Sequence, residues 1–204
     1  MRRPAVLAVV AAAALAVGVT AAWAGFPNFK QADSTFVASS TTKGGGKTTT
    51  ATRLSELAAA GGNSSSATIF VHFSATGVSG STEFVASLAG EQTWACGNNG
   101  GGFPSAPNKV TEPITVSSDT LPLNTRNGRV SYNGDGLFIT LDPPSANLPC
   151  PSGQTALLAA LRLDSLRIGV DGDIVNFFDV QYPTSAGWGD PYPANTYVRS
   201  GYSG

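Results

Sequence analysis

Charge is scarce in this chain. Asp, Glu, Lys and Arg make up 12% of its 204 residues, about half of the roughly 25% usual in globular domains, so contact with water rests largely on Ser, Thr, Asn and Gly. A formal net charge of −1 offers no long-range attraction to phosphate backbones or anionic lipid, and nucleic acid is excluded as an expected partner. Histidine is scarcer still, with His72 the only one. A serine triad needs an imidazole to take the nucleophile's proton and a carboxylate to orient it, and no Gly-x-Ser-x-Gly elbow is present to display a serine. One histidine and two cysteines cannot supply the three or four nitrogen and thiolate ligands of a zinc site. The expectation is a non-enzymatic protein with no catalytic residue, metal or cofactor.

What the chain does have starts at its N-terminus. Arg2 and Arg3, an uncharged Ala- and Val-rich run from Ala5 to Val19, and Ala22-Trp23-Ala24 before Gly25 make the three-part pattern of a secretory signal peptide, cleaved between Ala24 and Gly25. A retained anchor is the competing reading, because Ala5 to Ala24 approaches the roughly 20 residues that cross a bilayer. Alanine contributes little transfer energy, however, and small residues at Ala22 and Ala24 suit a signal peptidase. The expected product is secreted, with no stable membrane insertion after cleavage. It has 180 residues, ten basic and thirteen acidic, and a net charge of −3.

Export gives Cys96 and Cys150 a meaning. In an oxidising compartment the default for an even pair is a disulfide, with free thiols or an intermolecular bridge as the alternatives. Residues 25–66 read as a polar, largely flexible leader: Lys43-Gly-Gly-Gly-Lys47 and Thr48-Thr-Thr50 bury too little apolar surface to offset their ordering. Two pieces of it can fold, Thr35-Phe36-Val37 as a short strand and Arg53 to Ala60 as a helical turn or two.

Residues 67–180 change character. Ile69, Val71 and Phe73 alternate with Phe70, His72 and Ser74, the period of a half-buried strand that turns His72 away from the core. Strands are also expected at Glu83 to Leu88, Gln92 to Cys96, Ile114 to Ser117, Gly128 to Tyr132, Leu137 to Leu141, Leu157 to Val170 and Ile174 to Val180. Leu157 to Val170 also admits a helix, but Leu161 and Leu163 followed by Leu166, Ile168 and Val170 favour two strand phases joined by a bulge at Asp164-Ser165. Asn127-Gly128 and Asn133-Gly134 are turn dipeptides, and Asp142-Pro143-Pro144 ends the strand before it. Short strands punctuated by Gly, Pro and Asn predict an all-β fold, an antiparallel sandwich of immunoglobulin-like or similar type. Residues 181–204 form a Pro-, Gly- and aromatic-rich tail, expected to pack in its first half and to be disordered near Gly204.

Several of these turns combine into a larger pattern: Cys96-Gly-Asn98-Asn99-Gly-Gly101, then Pro104, Asn108-Lys109, Asn127-Gly128, Pro143-Pro144 and Cys150-Pro-Ser-Gly153-Gln154. Over roughly Ile69 to Asp173 the chain resembles a group of small secreted bacterial proteins, with some fungal members, that carry no assigned function. The resemblance implies a disulfide-linked β domain and no activity.

Within that domain the Cys96 to Lys109 loop is the strongest local candidate for recognition. Asn98 and Asn99 offer amide donors and acceptors, and Trp94 or Phe103 can stack on a sugar ring. The plainer alternative is that Gly and Asn only make the turn that lets Cys96 reach Cys150, with Trp94 in the core. Asp171-Gly172-Asp173 with Asp179, or Asn133-Gly134-Asp135-Gly136, can offer oxygens to calcium but completes no calcium loop. Glu83 and Glu91 are the pair to weigh for glycosidic acid and base roles. The sequence favours a non-enzymatic extracellular β-sandwich, a binding or structural module whose partner is a cell-envelope or glycan component. The alternative is a carbohydrate-active protein, either a sugar binder or a hydrolase using Glu and Asp.

Overall fold

The computed structural model describes residues 27–40, 47–54, 56, 66–98, 100–142, 144, 148–171, 178–180, 183–184, 187–188, 196–198 and 202. The expected signal segment and its cleavage site at Ala24 and Gly25 lie outside these residues. The strands in chain order are β1 (Asn28–Ser40), β2 (Lys47–Ala51), β3 (Ser66–Thr76), β4 (Ser81–Asn98), β5 (Lys109–Ser117), β6 (Leu121–Asn124) and β7 (Arg129–Tyr132). They continue with β8 (Phe138–Leu141), β9 (Gln154–Val170), β10 (Phe178–Asp179), β11 (Pro183–Thr184), β12 (Gly187–Trp188) and β13 (Thr196–Val198).

Two antiparallel sheets pack face to face as an all-β sandwich. The first has the order β2-β1-β3-β7, with β8 on the same edge of β3 as β7: Phe73 faces Tyr132 and Ile69 faces Ile139. The second has the order β10-β9-β4-β5, with β13 also on β9 and β6 also on β4. Its two central strands are long, 18 residues in β4 and 17 in β9. Pro113 and Pro122 stand on the edge segments β5 and β6 opposite Glu91 and Glu83, the positions where a missing N–H costs no ladder bond.

The core follows the alternation of the sequence. Ile69, Val71 and Phe73 of β3 and Phe84, Ala86, Leu88, Trp94 and Cys96 of β4 are buried on facing sides. Phe73 links the sheets, its ring centroid 4.6 Å from Phe84 and 5.9 Å from Phe29, which in turn stacks on Phe178 at 5.7 Å. Aromatic pairs in this range add about 0.5–1.5 kcal/mol each beyond their buried area.

β1 corrects the reading of residues 25–66 as a flexible leader. Residues 28–40 are a 13-residue strand paired along β3, and Phe29, Ala32, Ser34, Phe36 and Ala38 face the core. Two features hide this in the sequence. Three of the five inward side chains are small, and Lys30 is an extra residue between Phe29 and Gln31, which flips the phase of the alternation. The expected strand at Thr35-Phe36-Val37 lies within it. The turn at Thr52 to Glu56 closes locally, with the Glu56 carboxylate accepting from the Thr52 and Arg53 backbone N–H groups at 2.9 and 3.1 Å.

β9 has the expected bulge. Gly90 pairs with Leu163 and Ala89 with Ser165, so Asp164 is the extra residue; Ala159 is a second, between Leu158 opposite Trp94 and Ala160 opposite Thr93. The two bulges place Leu158, Leu161, Leu163 and Leu166 on one buried face at spacings of three, two and three, which is why the segment also looks helical. Beside the first bulge the strands come unusually close. A Cβ on Gly90 would run into the Arg162 carbonyl oxygen, and glycine is the residue that permits the approach.

Candidate functional site

Cys96 and Cys150 form a disulfide that spans 54 positions, with Cα atoms 5.5 Å apart. Local turns bring the partners together. Asn98 donates its N–H to Gly102 O and its carbonyl accepts from Gly101 N–H, while Cys96 N–H donates to Asn108 O at 2.8 Å. On the other side Gln154 N–H donates to Pro151 O, with Gly153 at φ 82°, a turn that needs the left-handed region glycine supplies. Asn108 Nδ2 donates to Pro149 O across the bridge at 3.4 Å. Such a bridge is compatible with an extracellular location.

This arrangement separates the sequence's binding candidates. Trp94 is fully buried and its indole N–H has no hydrogen-bond partner among the described residues, so its ring is core and cannot stack on a ligand. Asn98 is exposed but its backbone is committed to the loop closure. Asn99 lies outside the described residues. Phe103 is half-buried and meets Tyr202 edge to face at 5.3 Å, and Lys109 Nζ stands 6.0 Å from the centre of the same Tyr202 ring. Phe103, Pro104, Pro107, Lys109 and Tyr202 line a cleft of about 240 Å³. Tyr202 corrects the expectation of disorder near Gly204: its ring contact with Phe103 joins that stretch of the tail to the loop.

The tail is anchored elsewhere too. β13 pairs with β9, and Tyr197 is 1% exposed. No family model, curated protein or solved structure matches this chain.

The acids fall into several places. Glu83 and Glu91 both lie on β4, eight positions apart, a separation of roughly 26 Å along a strand, whereas a catalytic pair needs about 5–9.5 Å. Glu91 is 3.6 Å from Arg162 and Asp179 is 2.9 Å from Arg167, so neither is a spare oxygen donor. Asp173 lies outside the described residues. Glu83 has another neighbour that the sequence did not reveal: Asp171 N–H donates to Glu83 O at 3.0 Å, and both residues line an open cleft of about 580 Å³ with Ser79, Ser81 and Thr82. Among the described residues no aromatic lines it, and both acids are exposed. Among the described residues no group of three or more His, Cys, Asp or Glu is placed to hold a metal ion.

His72 is on the solvent side of the first sheet as expected, with Nδ1 3.7 Å from Asp33 Oδ1. Burial raises the Asp33 carboxyl above its usual range, and attraction to His72 opposes the rise. One further group escaped the sequence reading. Lys30, Arg126 and Arg129 line a cleft of about 350 Å³ together with Ser74, Thr76 and Ser131. Arg126 and Arg129 flank Asn127-Gly128, so the turn itself was the available signal; Lys30 comes from a strand 96 positions earlier.

Proposed function

We propose that this protein is a secreted, non-enzymatic binding module of the cell envelope or its surroundings, whose ligand sits against Phe103 and Tyr202. The observation that carries the reading is the aromatic cleft built on the disulfide-tied loop. Two rings, two prolines and one lysine combine apolar faces with a polar handle, the mixture found where orientation comes from few polar groups. At about 240 Å³ the cleft is below the roughly 300–1,000 Å³ of drug-sized pockets, which fits a single sugar ring at a chain end rather than a long oligomer. Secretion and the sugar ligand both belong to this proposal.

A glycan array probed with the protein and with its Phe103→Ala variant tests it. A defined group of glycans bound by the protein and lost in the variant supports the reading. Uniformly null binding overturns the sugar-binding version. The second reading is hydrolytic, favoured by Glu83 and Asp171 in one cleft. It predicts release of reducing sugar from some polysaccharide, abolished by Glu83→Gln; no release from a broad polysaccharide panel rejects it.

A further inference from the structure

Three cations at the Asn127-Gly128 end stand apart from the other described arginines. Arg53 lies beside Glu56, Arg162 beside Glu91 and Asp164, and Arg167 beside Asp179. Lys30, Arg126 and Arg129 have no carboxylate within 4.0 Å among the described residues. The next acid along this face, Asp33, is turned to His72. Gathering like charges without an acid disfavours the compact state unless an anion offsets them, and the chain that does so is charge-poor and net acidic.

The gathering is built by the backbone. Asn127 at φ 52° and Gly128 at φ 69° make a two-residue turn, and Arg126 and Arg129 exchange both backbone hydrogen bonds at 3.0 Å, so their side chains start from one cross-strand pair. Lys30 reaches the same corner as the extra residue of β1, between Phe29 opposite Ala75 and Gln31 opposite Ser74. On the solvent side, Ser74 faces Ser131 and Thr76 faces Arg129 across β3 and β7. One guanidinium fork satisfies a planar carboxylate. Two forks and an ammonium carried by residues around one largely apolar cleft match an anion with more oxygens pointing in more directions.

We infer that the Lys30, Arg126 and Arg129 cleft binds a tetrahedral oxyanion, a phosphate or sulfate, either free or as an ester. The site lies at the opposite end of β4 from Phe103 and is independent of the ligand proposed there. The test is a titration of isotope-labelled protein with sodium phosphate, sodium sulfate and sodium chloride at equal ionic strength, followed by amide chemical shifts. Saturable shifts confined to residues 74–77 and 126–131 are expected with phosphate or sulfate and not with chloride. The Arg126→Gln/Arg129→Gln variant, its fold checked by the rest of its amide spectrum, should bind at least tenfold more weakly. A sulfated oligosaccharide and a glycerol-phosphate polymer separate the sources: tenfold tighter binding than the free ion assigns a polymer-borne ester, and equal affinity assigns the free ion. Absence of saturation, shifts spread equally over Lys109, Arg162 and Arg167, or unchanged affinity in the double variant would overturn the inference.

Discussion

The two ends of the sandwich are closed by different means. At one, Cys96 and Cys150 join covalently and a loop carries Phe103 against Tyr202. At the other, roughly 50 Å away along β4, a two-residue turn between Arg126 and Arg129 is closed by backbone hydrogen bonds, with Thr125 Oγ1 donating to Gly80 O beside it. A covalent tie acts mainly by restricting the unfolded chain, whereas a tight turn fixes register locally. The first ties the Gly- and Asn-rich segment after Cys96, and the cleft beside it, to Cys150. The second sets charged side chains side by side in a few residues. The loop that follows β4 has its ends fixed by the bridge, whereas the charged end depends on the sheet.

Removing the bridge should have the largest effect. For a loop of this length the chain-entropy model gives about 4 kcal/mol, so urea denaturation of the Cys96→Ser/Cys150→Ser variant should show a loss of that order. A loss below about 1 kcal/mol would mean that the loop is held by its other contacts. Between the two ends, Gly90→Ala forces a methyl group toward the Arg162 carbonyl. Overpacking of this kind costs about 1–3 kcal/mol, and it should lower the denaturation midpoint while leaving both ends equally affected; a neutral variant would show that β4 and β9 separate easily there.

The turn should be cheaper to disturb. Gly128→Ala puts a side chain at φ 69° and should cost about 1 kcal/mol, read as a shift in midpoint with the Cys96 end unchanged. The smallest effect is electrostatic. Because burial raises the Asp33 carboxyl, the folded state holds that proton more tightly than the unfolded chain. Its contribution is fully present below the ordinary value of 3.8 and is lost as pH rises through the raised value. Stability of the protein relative to Asp33→Asn should therefore fall over that window; superimposed pH profiles would reject the assignment.

How much of this was legible in the sequence varies with the kind of signal. The alternation around Val71 and the Asp164 bulge were readable because large apolar side chains mark the inward positions beside them. β1 was not, since Ala32, Ser34 and Ala38 mark theirs weakly and Lys30 shifts the phase. Glu83 to Leu88 and Gln92 to Cys96 looked like two strands because Gly90 separates them, yet that glycine keeps one long strand close to its neighbour. Of the binding candidates, the ring of Trp94 was indistinguishable in sequence from that of Phe103; only packing against the facing sheet decides which is core. Tyr202 and Lys30 reach their sites through contacts across 99 and 96 positions, and no local pattern encodes such a meeting.

The most direct test of the contrast between the ends is hydrogen exchange of the protein before and after reduction of the disulfide under native conditions. Reduction should speed exchange in residues 96–110 and leave residues 74–77 and 126–132 unchanged. Equal acceleration at both ends, or none at either, would contradict that contrast.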